Sequence, residues 1–140
     1  MLDTSVFVAA IRGPGGASSF LVRSALQGAF VPLISTPLIL EYESVMTRPE
    51  HEAVSGLNRG EVEELLNAFA KVAEHVRFFY TWRPAVDDPG DEMVLETAVN
   101  GGADAIVTFN VRDFRGVEAS FGIGVIRPMQ AAGRLRDAAK

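Results

Sequence analysis

The sequence predicts an α/β fold in which a mostly parallel sheet carries helices on both faces. Three observations predict it. Short apolar runs alternate along the chain with segments whose apolar residues repeat at helical 3/4 spacing. Those runs are short and separated by helices, as in parallel sheets covered on both sides. Glycine and proline punctuate the junctions and nowhere gather into a linker. With 140 residues, 48% hydrophobic and 22% charged, the chain fits one domain over 1–140 and is too apolar to be disordered.

Residues 2–10 form an apolar opening segment interrupted by Asp3, Thr4 and Ser5, and Gly13-Pro14-Gly15-Gly16 ends it. Residues 17–27 have helical spacing, with Phe20, Leu21, Ala25 and Leu26 on one side, and Gly28 closes the helix. Residues 31–35 read as a strand. Thr36 then stands as an N-cap before Pro37, and the helix runs to about Thr47, ahead of Pro49. Residues 51–60 give a short helix or loop. The clearest helix is 61–75, from Val62, Leu65, Leu66, Phe69, Val72 and Ala73. Residues 76–80 are aromatic and β-branched, a strand pattern. Asp88-Pro89-Gly90-Asp91 turns into a helix with Val94, Leu95 and Ala98 as its apolar stripe and Glu92 and Glu96 on the solvated side. Gly101-Gly102 ends that helix. Residues 105–108 and 123–126 are strands, and Pro128 starts a last helix.

Composition removes whole classes of chemistry. Cysteine is absent, so disulfides, thiol catalysis and Cys-type zinc sites are excluded. His51 and His75 are the two histidines, too few for a His-rich metal site. No G-x-S-x-G elbow accompanies them, and Gly13-Pro14-Gly15-Gly16 lacks the Gly-Lys-Ser/Thr of a phosphate loop. It reads as a flexible loop at the mouth of a site. Thirteen basic against eighteen acidic residues give a net charge of −5, which disfavours a simple basic nucleic-acid coat. No apolar run approaches the length of a membrane span, and the segment after Met1 reaches Asp3 too soon for a signal peptide. The expected location is the cytoplasm.

In such folds ligands bind beyond the carboxyl ends of the strands, so the polar residues there are the site candidates. Asp3 interrupts the first apolar segment, where a charge is costly unless it is paired or binds metal; the competing reading is exposure at the chain start. Glu41 flanks the helical stripe of Leu38, Tyr42, Val45 and Met46, and reaches inward or snorkels to water. Asp91 lies on the side of Val94, Leu95 and Ala98; it looks into the protein or caps the helix together with Asp88. Asn110 and Asp113 follow the strand 105–108, as site residues or as an Asx-type turn. Oxygen ligands without His or Cys suit Mg²⁺ or Mn²⁺. Clustered carboxylates repel one another without a cation, and such sites suit two-metal phosphodiester hydrolysis.

Four segments resemble the PIN-domain family of metal-dependent ribonucleases, nearest to its toxin components of toxin–antitoxin pairs. They are the opening strand Leu2-Asp3-Thr4-Ser5-Val6-Phe7-Val8, Leu38-Ile39-Leu40-Glu41-Tyr42, Asp88-Pro89-Gly90-Asp91, and the stretch 103–114 with Thr108, Asn110 and Asp113. The resemblance implies an α/β/α sandwich on a twisted, mostly parallel sheet. It implies Mg²⁺ or Mn²⁺ at Asp3, Glu41, Asp91 and Asp113, with Asn110 the alternative fourth ligand. Thr4, Ser5 and Thr108 would be supporting hydroxyls, joined by Asn110 and Asp88. It implies hydrolysis of RNA by a metal-activated water, an antitoxin partner and self-association into a dimer. Arg12 and Arg112 are the candidate RNA contacts, and a PIN fold reduced to a partner-binding module is the alternative. Relatives carry more residues before the first aspartate. Here Met1 and Leu2 alone precede it, so the first strand is short or the start was set late, and the terminal amine is expected beside the metal site.

Overall fold

The computed structural model describes residues 1–77 and 89–139. Within them the order is α1 (Thr4–Arg12), α2 (Ala17–Leu26), β1 (Leu33–Ile34), α3 (Thr36–Met46), α4 (Pro49–Ser55), α5 (Arg59–Val72), β2 (Glu74–His75), α6 (Pro89–Gly101), β3 (Ala105–Val107), a 3-10 turn (Val111–Phe114), α7 (Val117–Phe121), β4 (Gly124–Ile126) and α8 (Pro128–Ala138). The fold is α/β, and every strand pairing among these residues is parallel. β1 pairs with β2 (Leu33 opposite Glu74), β3 pairs with β4 (Ala105 opposite Gly124), and Leu2 adds one parallel bridge to Val107. The expected sheet is therefore present as two short pairs. Helix α6 packs against both β1 and β3 and ties the pairs together.

The opening segment differs most from its expectation. Its extended part is confined to Leu2, and the helix begins at Thr4 with Asp3 as its N-cap. Val6, Phe7, Ala10 and Ile11 are buried, a helical rather than a strand spacing. Phe7 stacks at a tilt on Tyr42 of α3, centroids 4.4 Å apart, and meets Phe69 of α5 edge to face at 4.8 Å. That trio fixes α1 against α3 and α5.

Helix α3 is capped by Ser35, one residue before the expected Thr36, through a bond from the Leu38 N–H. Ser35 Oγ also lies 2.8 Å from Thr97 Oγ1, which donates to the Met93 carbonyl at 2.7 Å. A hydroxyl has one proton, so Ser35 donates to Thr97. The start of α3 is thereby bonded to α6. Tyr42 Oη donates to the Leu2 carbonyl, so the edge of the short first strand is satisfied by a side chain instead of a neighbouring strand.

Other boundaries shift for local reasons. Helix α5 starts earlier, at Arg59, because Asn58 and Glu61 form a reciprocal capping box. The strand expected at 76–80 begins at Glu74, where the Glu74 and Val76 N–H groups bond the Pro32 and Ile34 carbonyls. Glu74 and His75 are exposed, so apolar pattern could not mark it; residues 78–80 lie outside the described residues. Glu96, expected on a solvated face, is buried with Thr97 beside Leu95 and Ala98, because α6 is covered on more than one side. Gly101 ends α6 against β1, where a Cβ would come 2.7 Å from both Leu33 Cδ1 and Val76 Cγ2. Helix α7 was not foreseen; Gly116 and Gly122, both at positive φ, bracket it. Among the described residues no single helix is long and apolar enough to cross a membrane.

Replacing Tyr42 by Phe strands the Leu2 carbonyl and is expected to cost about 1–2 kcal/mol in chemical denaturation. Burial, with the charge of Asp3 adding to it, holds the Tyr42 phenol well above its ordinary value of 10.0. Above pH 10 the unfolded chain releases this proton while the folded chain keeps it, so stability falls as pH rises. That alkaline fall is expected to be smaller in Y42F.

Candidate functional site

A cleft of about 730 Å³ opens at the carboxyl ends of the first strand and β3. Its walls come from four parts of the chain: Asp3, Ser5, Val8, Ala9 and Arg12 at and along α1, Glu41, Val45 and Arg48 at and beyond α3, Asp91 in α6, and Asn110 after β3. Thr4, Gly13 and Gly90 complete it. Three carboxylates expected from sequence, Asp3, Glu41 and Asp91, thus face one space.

Asp3 is the most constrained of them, 4% exposed. Its N–H donates to the Val107 carbonyl at 2.9 Å, which continues the pairing with β3. Its Oδ2 accepts the hydroxyls of Ser5 and Thr108, both at 2.7 Å. Both donors converge on one oxygen, so Oδ1 takes neither. Thr108 is itself held: its Oγ1 accepts the Asn110 N–H at 2.9 Å. A buried carboxylate is tolerated when hydrogen bonds replace its water, and here two short hydroxyl bonds do so while fixing its orientation. Asp3 is thus buried rather than exposed at the chain start, and Ser5 and Thr108 donate to its carboxylate.

Glu41 is half-buried on α3, one residue before Tyr42, whose ring and phenol pin the helix. Asp91 is the third residue of α6 and half-buried; Asp88 lies outside the described residues. Asn110 lines the cleft, whereas Asp113 is exposed on the 3-10 turn and does not line it. Arg12 lines the cleft at the end of α1; Arg112 is exposed on the 3-10 turn, away from it. Gly13 lies at the cleft mouth, and Pro14, Gly15 and Gly16 form an exposed turn behind it. The Met1 amine is not beside these acids. It sits at the other end of the first strand, in a separate cavity with Asp104 and Ala105, where burial lowers it to about 6 against the opposing pull of Asp104.

Sequence reading missed Arg48. Helical spacing gave no signal for it, because α3 ends at Met46 and Arg48 lies beyond, in extended backbone as the N-cap of α4.

A PIN domain family model matches residues 1–112. The chain belongs to the PIN domain family. This is generally a nuclease fold, and PIN nucleases generally use divalent metals. No curated protein and no solved structure matches the chain.

The PIN cleft of this chain offers donors that fit such a metal in kind: carboxylates and an amide carbonyl, hard oxygen ligands with no imidazole or thiolate. Among the described residues, no three acidic or imidazole groups come close enough together to enclose one ion. Mg²⁺ keeps several waters and takes one or two protein carboxylates, which the oriented Asp3 and its cleft neighbours can supply.

Thr108→Val removes one of the two hydroxyls on Asp3 Oδ2 while keeping the side chain's shape. It is expected to cost about 1 kcal/mol of stability by thermal or urea unfolding.

Proposed function

We propose that the protein is a Mg²⁺- or Mn²⁺-dependent endoribonuclease. The convergence of Asp3, Glu41 and Asp91 on one cleft, from the first strand's end, α3 and α6, carries the reading. Asp3, held through Oδ2, would present Oδ1 as a metal ligand; Glu41 and Asp91 would complete the acidic wall, with Asn110 closer to it than Asp113. When bound there, a divalent cation supplies charge neutralisation for the phosphodiester and lowers the pKa of an attacking water. The chain's own part is to orient the carboxylates, through Ser5 and Thr108, and to hold α3 and α6 in register through Ser35 and Thr97. Asp113, exposed on its turn, would act as a ligand only after that turn moved.

The biological role proposed is the toxin of a toxin–antitoxin pair, acting on RNA in the cytoplasm, with a cognate antitoxin and self-association as a dimer. The order and spacing of the four motifs supports this role. A PIN fold working as a partner-binding module is the second reading, favoured by the spread of the acids across the cleft.

The deciding experiment adds Mn²⁺ to the purified protein with single-stranded RNA. Metal-dependent cleavage is expected, falling to background in D3N and by about 10- to 100-fold in T108V, whose hydroxyl acts behind a ligand. Cleavage that is absent in the wild type, or unchanged in D3N, leaves the partner-binding reading.

A further inference from the structure

The cleft that holds the carboxylates also holds two arginines. Ser5, Val8, Ala9 and Arg12 line it as one helical stripe of α1. Glu41 and Val45 line it from α3, which ends at Met46, and Arg48 lines it from just beyond, in extended backbone as the N-cap of α4. Neither Arg12 nor Arg48 forms an ion pair with another described residue, although the chain carries five more acidic than basic side chains.

Arg12 is also positioned. Its Nη1 lies 3.1 Å from Nδ1 of His51 in α4. A guanidinium has no acceptor, so Arg12 donates, and His51 carries its ring proton on Nε2. This bond ties the end of α1 to α4, the helix that Arg48 precedes.

We propose that Arg12 and Arg48 form a phosphate subsite for single-stranded RNA in the same cleft as the carboxylates, with His51 as the positioning residue for Arg12. The subsite rests on the nuclease reading for its purpose, but its binding is separable from cleavage.

The test is fluorescence anisotropy of a labelled oligouridylate on the wild-type protein in EDTA, across a salt series. For single strands each phosphate contact contributes about 0.7 to the slope of log affinity against log salt. R12Q/R48Q is expected to flatten that slope by about 1.4, and R12K/R48K to retain it. An unchanged slope in R12Q/R48Q overturns the subsite. H51Q, which keeps an acceptor for Arg12, is expected to bind as wild type, and H51A more weakly; equal binding by H51A overturns the role of His51. In Mn²⁺, R12Q/R48Q is expected to raise KM with kcat nearly unchanged. Failure of the nuclease reading looks different: D3N would leave cleavage unaltered while the anisotropy slope still fell in R12Q/R48Q.

Discussion

The rest of the site depends on one junction, the attachment of Asp3 to the end of β3. A backbone bond to Val107 and the hydroxyl of Thr108, 105 residues on, tie Asp3 to the end of β3, and the Ser5 hydroxyl joins Thr108 on Oδ2. The junction ends the first strand, sets Asp3 at the N-cap position of α1 and orients a carboxylate that is nearly sealed from solvent. Without the hydroxyls, a charge at that depth would be costly. With them, the carboxylate is oriented through Oδ2, and Oδ1 takes neither hydroxyl. The supporting Thr108 is in turn held by the Asn110 backbone, so the site residues after β3 belong to the same network.

The other acids are placed by secondary attachments to this junction. Tyr42 reaches the Leu2 carbonyl and stacks on Phe7, which carries α3 and its Glu41 to the first strand. Ser35 and Thr97 carry α6 and its Asp91 to α3. All of these bonds are buried, where a hydrogen bond is both stronger and more costly to lose. Much of the polar chemistry of the core thus serves to hold three carboxylates around one space. The acidic excess that seemed to argue against nucleic acid is partly this arrangement, and Arg12 and Arg48 line the same cleft.

Much of this was legible in the residues. The helices at 17–26 and 89–101 follow their apolar stripes and their Gly and Pro punctuation closely. Asp3, Glu41 and Asp91 were each marked by a carboxylate on or beside an apolar pattern. What failed did so for identifiable causes. The first strand was overread because Val6, Phe7, Ala10 and Ile11 fit an apolar run as well as a helix face. β2 was displaced because its side chains are exposed and its identity lies in backbone bonds to Pro32 and Ile34. Glu96 was assigned to water because a single helical stripe cannot report a helix covered on several sides. Arg48 was overlooked because its place in the cleft depends on where α3 ends.

By itself the sequence determined the alternation of helices and strands, the absence of thiol and imidazole-rich chemistry, and the supply of carboxylates at strand ends. These follow from local periodicity and residue type, which need no knowledge of distant neighbours. Tertiary structure alone decided which polar residues share a space: that Thr108 supports Asp3, that Asn110 rather than Asp113 lines the cleft, and that Arg12 and Arg48 line it too. Each of those outcomes depends on contacts between segments far apart in the chain, and periodicity along one segment carries no information about the packing of another.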